Sequence, residues 1–270
     1  GMLLLASSAV AVLYLLNLRH FLLFHFTAEL FSIAVAFSVF AVTWSARERI
    51  EDGGWLLIGI SYLFVGTVDL LHTLSYEGTG LFPGYGANLP TQLWLVARFI
   101  ETGSLLLALR LFGRRVPHRT VIAGYALVTA AAVLSIIPLG VFPDAYVAGK
   151  GLTLFKVTSE YVISASLLVA AYLLYRLRRQ LDDTVFRWLF AAVLATAVAE
   201  VLFTFYIDVY GLSNALGHIL KIVSYYAVFK AIVEVGIRRP ERLFYRRLAT
   251  REEELSQALA ERDMLLREMQ

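Results

Sequence analysis

The sequence predicts an all-α polytopic membrane helical bundle of eight transmembrane helices, with both termini cytoplasmic and a further cytoplasmic helix after the last crossing. Three observations predict it. Of 270 residues, 59% are hydrophobic and 17% charged, and the mean hydropathy of +0.69 lies far above that of a soluble domain of this length. Apolar runs near the ~20 residues needed to span a bilayer recur along the chain. The connectors between them alternate between basic and nearly uncharged.

The first run, 2–17, is short, but it lacks a basic leading region and a small-residue cleavage site, so it reads as a helix rather than a removable signal peptide. The second, 20–44, carries FHFTAELFSIAVAFSVFAVTW and ends at the charged SARERIEDGG. The third, 54–75, ends at SYEGTG, and the glycine-rich GLFPGYGAN at 80–88 reads as a turn or a lid before the fourth, 92–112. GRRVPHR separates that run from the fifth, 120–139, and PLGVFPDAYVAGKG leads to the sixth, 152–176. RLRRQLDDT precedes the seventh, 185–208, and the eighth, 215–236, runs out into IRRP.

Lys and Arg are retained on the cytoplasmic side of membrane loops. Arg47, Arg49, Arg114, Arg115, Arg119, Arg176, Arg178, Arg179, Arg238, Arg239, Arg242, Arg246 and Arg247 fall at one set of helix ends, and only Arg19 and Lys150 at the other. Both termini are therefore expected in the cytoplasm, which requires an even number of crossings. The expected domains are 1–240, an eight-helix membrane unit, and 241–270, a charged helix free of glycine and proline. In the latter, Leu248, Leu255, Leu259, Leu266 and Met269 fit a heptad seam of a parallel dimeric coil, interrupted by Glu252 and Arg262. The alternative is one amphipathic helix on a soluble domain. The chain has no cysteine, which excludes disulfides and thiolate sites.

Orientation assigns every intramembrane polar residue a depth at about 1.5 Å per residue. His25, His72, Lys156 and His218 lie within about 6 Å of the outer ends; Glu29, Asp69, Arg98 and Lys221 about 9 Å in; Glu101, Glu160 and Glu200 about 12–14 Å in. All share the outer half, so one polar cluster near the extracytoplasmic surface is expected. Asp69/His72, His25/Glu29, Lys156/Glu160, Arg98/Glu101 and His218/Lys221 are each three or four apart, on one helix face. Lys156–Glu160 and Arg98–Glu101 read as ion pairs that fix packing, because unpaired charge in hydrocarbon is costly. Glu200 reads as protonated, as hydrogen-bonded to a neighbouring helix, or as a ligand. A lone membrane histidine is commonly a satisfied hydrogen bonder; three in one layer, two beside carboxylates, point to a site.

Five carboxylates, Glu29, Asp69, Glu101, Glu160 and Glu200, face three fixed cations, Arg98, Lys156 and Lys221, an excess of two negative charges with neutral histidines. Protons, a divalent metal or an organic cation would balance them. His25, His72 and His218 with Glu29 or Asp69 form a chemically reasonable set for a divalent transition metal ion between helices; haem held by two of the histidines is the less favoured cofactor. Trp94, Tyr161, Phe205, Tyr206, Tyr225 and Tyr226 share the depth and would wall a pocket for an organic ligand. Trp94 and Tyr206 are read instead as an interfacial aromatic belt.

The stretches FHFTAELFSIAVAFSVFAVTW, YLFVGTVDLLHTLSYEG, ANLPTQLWLVARFIE, KVTSEYVIS and NALGHILKIVSYYAVFKAIVEVGIRRP resemble the third class of bacterial membrane-associated sensor domains, the MASE type, over most of residues 20–240. The resemblance implies a detachable sensory module of the bacterial cytoplasmic (inner) membrane, placed ahead of a histidine kinase, diguanylate cyclase or similar output domain. The family's recurrent polar positions correspond to His25, Glu29, Asp69, His72, Arg98, Glu160, His218 and Lys221. ALAERDMLLREMQ is similar to the segment before the phosphoacceptor box of one class of sensor histidine kinases, so 1–270 is expected to be a sensory half without kinase activity.

The expected function is thus a sensory input that binds a small ligand or metal ion in the outer half of the membrane and signals through the last helix. The expected partners are the lipid bilayer, that ligand, a second copy of the chain and an output domain, with no nucleic acid. A haem- or metal-binding intramembrane enzyme or redox protein is the alternative. A transporter would need a polar path inward, and the inner helix halves offer none.

Overall fold

The computed structural model describes residues 2–50, 52–204 and 211–238. The 241–270 helix with its heptad seam, and Phe205 and Tyr206, lie outside the described residues. The helices are α1 (Met2–Arg19), α2 (Phe21–Ala46), α3 (Gly53–Leu74), α4 (Asn88–Leu111), α5 (His118–Ile136), α6 (Leu154–Leu177), α7 (Asp183–Thr204) and α8 (Leu212–Val233). A π-helical turn, Glu234–Arg238, continues α8. Among the described residues, seven helices, α2 to α8, are long and apolar enough to cross a membrane. The all-α membrane bundle is therefore what the chain forms.

Neighbouring helices pack in a closed order, α2–α3–α4–α6–α7–α8 and back to α2, with α1 outside against α2 and α5 outside against α3 and α4. Burial follows that placement: 72% of the apolar window of α3 and of α4 is enclosed by protein, against 11% of α5. Leu127 and Leu134 on α5, and Leu168 and Tyr172 on α6, are outward and available to lipid. In a bilayer apolar burial does not drive helices together, so close approach and polar contacts must. At Gly59 of α3, a Cβ would come within 1.9 Å of the Thr43 hydroxyl on α2 and 2.2 Å of its Cβ. A Gly59→Leu substitution must push α2 from α3, and is expected to cost about 1–3 kcal/mol, read as a lowered melting temperature in detergent.

Connectors fix how the helices enter. Asp52 caps α3 by accepting from Gly54 N–H at 2.9 Å, and its other oxygen accepts from Gly113 N–H at 2.7 Å, joining the α2–α3 and α4–α5 turns. At the opposite end a small hairpin, β1 (Tyr146–Val147) and β2 (Gly151–Leu152), precedes α6 and was not expected from the sequence. Asn88 holds it: its amide donates to Asp144 at 2.8 Å, and its carbonyl accepts from Ala145 N–H and Tyr146 N–H at 2.9 and 3.0 Å. Here α4 begins at Asn88, four residues before the expected start, because Pro90 falls in its first turn, where a missing N–H costs nothing.

Candidate functional site

Consecutive antiparallel helices bring the N-terminal halves of α2, α4, α6 and α8 beside the C-terminal halves of α3 and α7. The polar residues expected at one depth therefore meet at one end of the bundle. They form two connected parts, an ion lattice and a cavity.

The lattice links α2, α3, α4 and α8. Lys221 Nζ lies 2.6 Å from Glu29 Oε2 and 3.3 Å from Asp69 Oδ2. Arg98 Nη2 donates to both Asp69 oxygens at 2.9 Å and to the Tyr225 hydroxyl at 2.8 Å, while that hydroxyl donates to Asp69 Oδ2 at 2.7 Å. Arg98 Nη1 pairs with Glu101, whose other oxygen accepts from the Tyr62 hydroxyl at 2.9 Å. Trp94 lies against both cations, its ring centre 4.8 Å from the Arg98 guanidinium carbon and 4.5 Å from Lys221 Nζ. Glu29 and Asp69 are fully enclosed, and Arg98, Lys221 and Glu101 are buried. Three carboxylates share two cations within the lattice, leaving one negative charge.

The imidazoles sit above Glu29. The His25 ring centre is 5.1 Å from that of His218, 5.5 Å from that of His72 and 4.1 Å from the Tyr76 ring. Backbone carbonyls fix two of the three: His72 Nδ1–H donates to Pro90 O at 2.7 Å and His218 Nδ1–H to Asn214 O at 2.9 Å. A neutral ring so held presents its lone pair at Nε2. His72 Nε2 has no hydrogen-bond partner among the described residues, and His218 Nε2 faces Glu29 Oε1 at 3.6 Å. His25 Nδ1 and Glu29 Oε1 are likewise buried without a hydrogen-bond partner. A cavity of about 1230 Å³ opens here, lined by His25, His72, His218, Trp94, Lys156 and Glu160, among others. Gly217 lets α7 approach it closely, since a Cβ there would fall 2.6 Å from the Phe203 ring.

All eight residues expected to bind ligand are therefore at this end, in different roles. His25, His72, His218 and Glu160 reach the cavity; Glu29, Asp69, Arg98 and Lys221 lie behind it in the lattice. Of the five expected metal ligands, His25, Glu29 and His218 each offer a ligand atom within 4.8 Å of the others. The Asp69 oxygens are committed to Arg98, Tyr225 and Lys221, so it supports the site rather than entering it. The Lys156–Glu160 pair forms at 2.5 Å, and Lys156 also donates to Phe203 O at 3.2 Å. Glu200 is buried on α7, with Oε2 lacking a hydrogen-bond partner among the described residues.

Among the aromatics, Trp94 departs from expectation: it is 7% exposed, packed between cations and cavity rather than in a surface belt. Tyr161 and Tyr226 point outward, 52% and 45% exposed, and do not wall the cavity. Tyr76, its ring tilted against His25, and Tyr62, bonded to Glu101, were missed; Tyr76 follows His72 by four residues, a spacing that could have found it.

Compared with known families, residues 16–240 match MASE3, described as a membrane-associated sensor domain. No curated protein and no solved structure matched the chain. The match covers most of the sequence and every residue of the lattice and cavity, and the chain belongs to the MASE3 family of membrane-associated sensor domains.

Proposed function

We propose that this chain is the sensory input of a bacterial inner-membrane signalling protein. It binds a small ligand or metal ion in the cavity of the outer membrane half and reports occupancy through α8. Eight crossings with both ends in the cytoplasm agree with the distribution of Lys and Arg among the connectors. The output domain, of kinase or cyclase type, follows the 241–270 helix, which pairs two chains.

One observation carries this reading. The cavity's histidines rest on an ion lattice in which Lys221 and Tyr225 of α8, the helix that leads to the C-terminal segment, hold carboxylates from α2 and α3. A ligand that draws on His218 or Glu29 acts on α8 directly. To switch, it must bind the two signalling states with different affinity, since equal affinity shifts nothing. The contacts between imidazole rings favour a compact ligand over haem, because imidazoles on opposite faces of a porphyrin cannot touch each other.

The test joins residues 1–270 to a histidine kinase core and compares His72→Ala and Asp69→Asn with the parent. Each is expected to change autophosphorylation at least about fivefold, the lower end of ordinary coupling between sites. Unchanged output in both variants, at wild-type expression, would overturn the reading.

A further inference from the structure

We propose that His25, Glu29 and His218 hold a divalent, imidazole-preferring metal ion of the zinc type, and that this ion competes with Lys221 for the Glu29 carboxylate. The proposal rests on the sensory reading for its consequence and on geometry alone for the site.

The donors are already aimed. His218 Nε2 and Glu29 Oε1 stand 3.6 Å apart, near the roughly 3.4 Å edge of a tetrahedron with bonds of about 2.1 Å. His25 offers a nitrogen within 4.8 Å of both. His218 donates its other ring N–H to a backbone carbonyl, the support that metal-bound imidazoles generally have. All three residues are more than nine-tenths buried, and both His25 Nδ1 and Glu29 Oε1 lack a hydrogen-bond partner among the described residues. Two buried lone pairs facing each other at 3.6 Å are unfavourable unless a cation or proton lies between them.

The donor set selects the ion. Two imidazoles and one carboxylate suit zinc and its neighbours, whereas magnesium and calcium require an oxygen-rich shell. Three protein ligands leave a fourth position open, and His25 and His218 line the cavity, so that position faces it.

Competition supplies the coupling. Lys221 Nζ divides itself between Glu29 at 2.6 Å and Asp69 at 3.3 Å. A second cation on Glu29 Oε1 draws the carboxylate's charge from Lys221 and drives the ammonium toward Asp69. Lys221 and His218 are three residues apart on α8, so the same helix is pulled toward α2 through His218 and toward α3 through Lys221. The result is a rotation of α8, passed on through the π-helical turn at Glu234–Arg238.

The test uses the whole chain, purified in detergent and stripped of metal, titrated with zinc and, as a spectroscopic probe, cobalt. One zinc per chain is expected, with cobalt giving the intense visible bands of a four-coordinate nitrogen–oxygen site. His25→Ala and His218→Ala should bind at least about 100-fold more weakly, beyond the 10–100-fold that loss of an outer partner costs; His118→Ala should bind as wild type. The cobalt spectrum of the wild type keeps the test decisive if a variant fails to fold. No zinc bound at micromolar concentration, or stoichiometry unchanged in folded His25→Ala and His218→Ala, overturns the site. The kinase-fusion readout separates the two ideas: absent zinc binding with output still altered by His72→Ala removes the metal and leaves the sensor, while zinc binding with output unchanged in both His72→Ala and Asp69→Asn does the reverse.

Discussion

Arg98→Met is expected to lower the stability of the bundle by at least the 3–5 kcal/mol typical of breaking a buried ion pair. Arg98 is 1% exposed and is the shared partner of Asp69 and Glu101, with Tyr225 as a third contact. Among the described residues, its loss leaves Glu101 with only the Tyr62 hydroxyl and Asp69 with Lys221 at 3.3 Å and Tyr225. Asp69 then shares Lys221 with Glu29, and Glu101 keeps no cation among the described residues. Thermal melting in detergent, followed by circular dichroism, measures the loss. The double variant Asp69→Leu, Arg98→Met should melt higher than the summed single losses predict, because it removes a charge together with its partner. Strict additivity would mean that the contact carries no coupling and that the lattice is not a unit.

Much of this arrangement was legible in the sequence because a membrane restricts the possibilities. Hydrocarbon admits only helices or closed barrels, so long apolar runs fix the elements. The alternation of Arg-rich and Arg-poor connectors then gives each helix a direction. Direction converts residue number into depth, and depth alone placed His25 and Glu29 beside Asp69, His72, Arg98, His218 and Lys221. Pairs three or four apart were also visible, and Lys156–Glu160 and Arg98–Glu101 form as expected.

Depth says nothing about azimuth, and the errors follow from that. Trp94 and Tyr161 have similar depths, yet one faces two cations and the other faces outward. Asp69 looked like a metal ligand because His72 is three residues away, but on the folded helix its carboxylate meets Arg98 of α4 and Tyr225 of α8. Partners 29 and 156 residues distant leave no local spacing to read. The hairpin at 146–152 escaped for a different reason. Its strands are two residues each and are held by one Asn88 side chain, so it has no periodicity of its own.

Lys221→Met is expected to be the second most damaging change, and its rescue should be unequal between the two acids that it serves. Without the ammonium, Glu29 keeps no fixed cation among the described residues, whereas Asp69 retains Arg98 at 2.9 Å and the Tyr225 hydroxyl at 2.7 Å. The cost, about 3–5 kcal/mol for an uncompensated buried charge, therefore falls mainly on Glu29. Adding Glu29→Gln removes that charge and should restore most of the melting temperature. Adding Asp69→Asn should restore little, and leaves Arg98 with Glu101 as its remaining acidic partner. The same Glu29→Gln, Lys221→Met protein also separates stability from signalling: it should fold, yet its kinase fusion should no longer respond to cavity occupancy, because the cation that moves between α2 and α3 is gone. Equal rescue by either acid variant would show that Lys221 stands midway between the two carboxylates, and a double variant that still responds would place the signal in a contact other than Glu29–Lys221.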